Sequence, residues 1–86
     1  VKEFTYRIND ELGLHARPAG MLAKLVKGLP DTAVTIVKDG KEVGATKLLA
    51  IMGLAVKQGE EVTVRIEGGD EESAAKTVEE FFSANL

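Results

Sequence analysis

Val62-Thr63-Val64-Arg65-Ile66-Glu67 alternates a branched apolar residue with a polar one. Successive side chains of a strand point to opposite sides of its sheet. This stretch therefore offers Val62, Val64 and Ile66 to a core and Thr63, Arg65 and Glu67 to water. Phe4-Thr5-Tyr6-Arg7-Ile8-Asn9 carries the same period of two. Val34 and Ile36 mark another strand within Thr32 to Lys38. Asp39-Gly40 then predicts a hairpin, because both residues tolerate a positive φ, and Lys41 to Val43 supplies the short returning strand. Strands apolar on one side need cover on that side only.

The cover is legible between the strands. Ala19, Leu22, Ala23, Val26 and Leu29 recur at helical spacing, with Lys24 and Lys27 on the other side. Gly28 and Pro30 stop that helix. Thr46 is placed to cap a short helix through Leu48, Leu49, Ile51 and Met52, ending near Gly53. Gln58-Gly59 and Gly68-Gly69 read as turns. Asp70 is a good cap for a last helix with Glu71 and Glu72 in its first turn and Ala74, Ala75, Val78, Phe81 and Phe82 on its apolar side. The order is β-α-β-β-α-β-α. It predicts an α+β fold, a two-layer open-faced sandwich with a four-stranded antiparallel sheet covered on one face by three helices.

The 86 residues suit a single domain spanning residues 1–86. The chain has no cysteine and one histidine, so neither disulfides nor a zinc cluster is expected. A formal net charge of −3 argues against nucleic acid as a partner. No apolar run reaches the length of a membrane span, and Val1-Lys2-Glu3-Phe4 does not resemble a secretion signal. A cytoplasmic, monomeric, free-standing protein is the expectation. One domain of a larger fused transferase is the alternative.

The lone histidine lies in Gly13-Leu14-His15-Ala16-Arg17-Pro18-Ala19, where the first helix begins. A free imidazole is a nitrogen nucleophile near neutral pH and can attack phosphorus and leave again. The backbone N–H groups of Ala16 and Arg17 stand unpaired at a helix start and favour an anion. The Arg17 guanidinium can donate two parallel hydrogen bonds to a phosphate. Pro18 suits a first turn, having no N–H to waste and a preset φ. The same residues also read as a surface histidine or ordinary N-cap beside a solvated arginine. Glu11, the loop carboxylate nearby, reads as solvated.

The heptapeptide resembles the active-site motif of the HPr family, the histidine phosphocarriers of the bacterial phosphoenolpyruvate-dependent phosphotransferase system. The resemblance extends along the chain through Ala45-Thr46-Lys47-Leu48-Leu49-Ala50-Ile51-Met52-Gly53 and Lys57-Gln58-Gly59-Glu60-Glu61-Val62. It implies that Enzyme I donates a phosphoryl group to Nδ1 of His15, that Arg17 steadies it, and that phospho-His15 passes it to IIA domains of sugar permeases. It implies no cofactor and no metal. It implies a stoichiometric carrier in place of an enzyme. It also implies a partner surface at Gly20, Met21, Lys24, Lys27, Leu48, Leu49 and Met52. For the apolar members the competing expectation is core packing, and for Lys24 and Lys27 a solvated helix face.

One position departs from the family pattern. Many members carry a regulatory serine, phosphorylated by an HPr kinase, where this chain has Lys47. Lysine has no hydroxyl to phosphorylate. Thr46 offers a hydroxyl one residue earlier, as a weaker alternative to its capping role. Two other functions stay beside the sugar-system carrier: the nitrogen-regulatory phosphocarrier, which shares the motif, and a non-transferring regulatory binding module. The module keeps the serine and lacks the histidine, the reverse of this chain.

Overall fold

The computed structural model describes residues Val1–Leu86. The alternating stretch becomes strand β4 (Glu61–Glu67), with Val62, Val64 and Ile66 buried. It lies inside the sheet, between β1 (Lys2–Arg7) and β2 (Ala33–Lys38), and β2 pairs outward with β3 (Lys41–Gly44). All three pairings are antiparallel, in the order β1-β4-β2-β3. The register sets Phe4 opposite Val64, Val64 opposite Ile36 and Ile36 opposite Val43, one apolar row across the sheet. β1 ends at Arg7, short of the expected Asn9. The N–H groups of Asn9 and Asp10 turn away to the carbonyl of Leu86.

Three helices cover the apolar side: α1 (Ala16–Lys27), α2 (Leu48–Gly53) and α3 (Glu71–Asn85). α3 packs on β1 and β4, α1 against α2 and α3, and α2 against β3. Phe82 is wholly buried at the centre, with Phe4, Tyr6 and Phe81 set edge-on around it. Edge-to-face contacts suit the ring quadrupoles and add to area burial. On the open side of the sheet Arg65 reaches Glu3 on β1 at 2.8 Å and Glu42 on β3 at 2.6 Å.

The local signals act as the sequence indicates at the hairpin and the last helix. Asp39 and Gly40 both take positive φ, at 50° and 80°. Asp70 accepts a hydrogen bond from Ser73 N–H and caps α3. The short helix corrects the expectation. Thr46 does not cap it; Lys47 is the N-cap, and no side chain bonds the first turn. The Lys47 N–H donates to the Gly44 carbonyl, closing a turn over Ala45 and Thr46 before the helix can start. The β3 pairing thus fixes where α2 begins.

Lys38, at the end of β2, fastens α2 to the sheet. Its side chain is 12% exposed. Nζ donates to the carbonyls of Leu54 (3.2 Å) and Ala55 (3.1 Å) and to Glu60 Oε1 (3.1 Å). Ala55 leaves α2 with a φ of 51°, a strained conformation for a residue with a Cβ. Glu60 also accepts from Lys57 N–H, and that bond first, then Lys38, holds its carboxyl below the usual carboxylate range. A carboxyl lowered on folding stabilises the fold above its unfolded pKa and loses that contribution as pH falls through the lowered value. Lys38→Met removes three hydrogen bonds, of which those to the Leu54 carbonyl and Glu60 are part-buried, and is expected to cost about 1–3 kcal/mol at neutral pH. The difference from wild type narrows in acid. Denaturant unfolding of both proteins at neutral and low pH measures this; equal stability at neutral pH would remove Lys38 from the framework.

Candidate functional site

The His15 loop is built from its flanks inward. Leu14 is buried and its N–H donates to the Val56 carbonyl at 3.0 Å, tying the loop to the segment between α2 and β4. Gly13 takes a φ of 71°, and any Cβ there would collide with the Val56 carbonyl and lie 2.8 Å from the Lys57 Cα. Leu14 points inward, so the next residue, His15, is turned toward solvent as the N-cap of α1.

His15 caps through its backbone alone. Its carbonyl accepts from Ala19 N–H at 3.0 Å, while the imidazole makes no capping bond. The ring is 32% exposed and free for other work. Pro18 stands in the first turn without an N–H, and the Ala19 N–H is already bonded. The open backbone donors are therefore those of Ala16 and Arg17. No acidic residue occupies that turn, so the positive end of the helix is not neutralised by the helix itself. Arg17 is exposed and forms no ion pair.

His15, Arg17, Pro18 and Met21 line a shallow depression of about 280 Å³, closed on its other side by Asp10, Ala84 and Asn85. Asp10 Oδ1 lies 3.8 Å from His15 Nε2. Asp10 lies outside the heptapeptide, and the carboxylate that the sequence points to nearby is Glu11. Glu11 is exposed, and Asp10 faces the ring because its N–H is drawn to the Leu86 carbonyl at 2.9 Å. A polar residue before a tight turn was the one local signal. The approach of the α3 end to the loop has none.

The remaining expected residues lie outside the depression. Gly20 is half-buried on α1, with open space where a Cβ would stand. Lys24 and Lys27 are exposed in the last turn of α1, where cations suit the helix dipole. At 1.5 Å per residue Lys27 lies about 18 Å along the axis from His15. On the adjoining α2, Leu48, Leu49 and Met52 are 37%, 83% and 41% exposed, and Met21 on α1 is 45% exposed. α2 spends Ile51 on the core and turns these three outward. Lys47 and Thr46 are both exposed beside them. The result is a shelf of unburied apolar side chains on two adjoining helices, flanked by lysines. Such a shelf suits a partner carrying apolar groups ringed by carboxylates.

The sequence and the fold have known relatives. Residues 2–84 match the PTS-HPr family model, described as the PTS HPr component phosphorylation site. The chain belongs to the PTS-HPr family. It is 37% identical over 75 residues to the phosphocarrier protein HPr of Lysinibacillus sphaericus, covering 86% of this chain and 83% of that one. It is 32% identical over 78 residues to the phosphocarrier protein HPr of Mycoplasma capricolum subsp. capricolum, covering 91% of this chain and 86% of that one. The crystal structure of HPr-C-His from Thermoanaerobacter tengcongensis superposes with a TM-score of 0.90 at 36% identity, covering 98% of this chain and 93% of that one. The α+β sandwich is thus an HPr fold in architecture as well as in sequence. No helix is long and apolar enough to cross a membrane.

Proposed function

We propose that this HPr-family chain is a phosphocarrier that takes a phosphoryl group from phospho-Enzyme I on Nδ1 of His15 and hands it to IIA domains of sugar permeases. The observation that carries the reading is the imidazole at the N-cap of α1, which makes no capping bond and stands beside two open backbone N–H groups and an unpaired guanidinium. An N-cap whose ring is left out of the helix suits covalent chemistry better than capping.

The transfer is an exchange of P–N bonds. The His15 lone pair attacks phosphorus, the bond to the donor's ring nitrogen breaks, and that electron pair returns to the donor. A bound phosphoryl group brings roughly two negative charges and strong acceptor oxygens. The N–H groups of Ala16 and Arg17 and the α1 dipole offset part of that charge. Arg17 supplies a charged donor pair. The chain is changed and restored in each cycle, so it acts stoichiometrically and not as an enzyme. The shelf formed by Gly20, Met21, Lys24, Lys27, Leu48, Leu49 and Met52 would seat the two partners in turn. That role suits a monomer in the cytoplasm, without nucleic acid or membrane insertion. Lys47 in place of the family's regulatory serine leaves His15 as the phosphorylated residue, with Thr46 a minor alternative.

The reading is tested with Enzyme I, Mg²⁺ and labelled phosphoenolpyruvate. Acid-labile, alkali-stable label on wild type supports it, and no label overturns it. Arg17→Ala is expected to slow acceptance about ten- to a hundredfold, the worth of one lost charge-assisted donor set of about 1.5–3 kcal/mol. Its circular dichroism should match wild type, since Arg17 holds nothing in the fold. An unchanged initial rate would remove Arg17 from the reaction.

A further inference from the structure

We infer that Asp10 is a positioning residue for His15. It holds the ring proton on Nε2 and so leaves Nδ1 as the nitrogen that takes and releases the phosphoryl group. The inference rests on the carrier function proposed above and extends it to a residue outside the heptapeptide.

The geometry comes first. Asp10 Oδ1 faces His15 Nε2 at 3.8 Å, with the two side chains 29% and 32% exposed. The Asp10 backbone is held by two hydrogen bonds and its carboxylate by a third. Asp10 N–H donates to the Leu86 carbonyl at 2.9 Å, its carbonyl accepts from Gly13 N–H at 2.9 Å, and Oδ1 accepts from Leu12 N–H at 2.8 Å. No other acidic side chain lines the depression, and the polar groups sharing it are Arg17 and Asn85. The Asp10 carboxylate therefore sets the sign of charge on the Nε2 side of the ring. The open N–H groups of α1 and the Arg17 guanidinium set the opposite sign for an incoming anion.

The chemistry follows from that division. A neutral imidazole protonated on Nε2 has its lone pair on Nδ1. Attack through Nδ1 on the phosphorus of a phosphoimidazole forms one P–N bond and breaks another, whose electron pair stays with the donor ring. The His15 ring is then cationic, still protonated on Nε2, and the Asp10 carboxylate offsets that charge. In the onward step the P–N electron pair returns to Nδ1, and the leaving group is a neutral imidazole. Were the Nε2 proton lost to water, the leaving group would be an imidazolate, a far poorer one. One carboxylate thus favours both acceptance and release. It also disfavours a phosphoryl dianion on Nε2, where like charges would meet. A carboxylate that orients a reacting histidine and offsets its cationic form is an established device in other active sites.

Asp10→Asn tests this, because an amide oxygen keeps the acceptor for Leu12 N–H while the charge is removed. In ¹⁵N-labelled protein the His15 ring resonances of wild type should report Nε2–H, and those of the variant should move toward a mixture of tautomers. Acceptance from phospho-Enzyme I and release to a IIA domain should both slow roughly five- to tenfold, the worth of one charge at this distance near a protein surface. Thermal unfolding should change little. Wild-type rates together with unchanged ring resonances would overturn the role of Asp10. A wild-type protein that takes no label would overturn the carrier function instead. The resonance measurement needs no partner and would still decide what Asp10 does to the ring.

Discussion

His15→Ala is expected to reduce acid-labile labelling from phosphoenolpyruvate and Enzyme I to background, while wild type takes about one phosphoryl group per chain. His15 is the only histidine in the sequence, so no neighbouring imidazole can substitute. The fold should survive the change. His15 caps α1 through its carbonyl, which alanine retains, and its ring makes no capping bond. Substitutions at surface positions free of such bonds fall within about ±0.5 kcal/mol. Loss of label with an unchanged melting temperature therefore separates chemistry from unfolding. Equal label in variant and wild type would place the phosphoryl group elsewhere and end the assignment of His15.

Gly13→Ala is expected to destabilise the protein by about 2–4 kcal/mol. Two effects combine. A φ of 71° places an alanine in the left-handed region, at about 1–2 kcal/mol. The added Cβ would also meet the Val56 carbonyl and the Lys57 Cα, both backbone atoms that cannot rotate aside. Relief requires moving either the His15 loop or the segment after α2, and that breaks the Leu14 to Val56 hydrogen bond. For a domain of this size each 1 kcal/mol lowers Tm by roughly 4–8 °C, so the melting transition should fall by about 8–30 °C. Phosphoryl acceptance should fall too, since His15 rides on the same loop. Gly20→Ala is the control. Nothing lies within 4 Å of its missing Cβ, and it sits inside a helix, where alanine is favoured by roughly 0.5–1 kcal/mol. Equal stability of the two variants would show that the Gly13 clash is relieved without cost.

The sequence and the tertiary structure decided different things here. Alternation at Phe4-Thr5-Tyr6, Val34 to Ile36 and Val62 to Ile66 assigned strands and their buried sides. Asp39-Gly40 assigned the hairpin, and Asp70 the start of α3. Each is a property of a few consecutive residues, and the covalent chain brings those together whatever the rest does. The heptapeptide was legible for the same reason: nucleophile, guanidinium and helix start lie within Gly13 to Ala19. What was not legible depends on residues far apart in the chain. No local signal places β4 between β1 and β2, because strand order is settled by which apolar sides close one core around Phe82. The sequence places the cap of α2 at Thr46, but the pairing of β3 and the Gly44 carbonyl shift it to Lys47. The outward turn of Leu48, Leu49 and Met52 follows from Ile51 being the side chain that α2 commits to the core. Asp10 meets His15 because Leu86, at the far end of the sequence, holds the loop by two hydrogen bonds. Local chemistry determined the elements and the proposed phosphoryl acceptor. Packing between distant segments decided their arrangement and what His15 faces, since those contacts exist only once the core has closed.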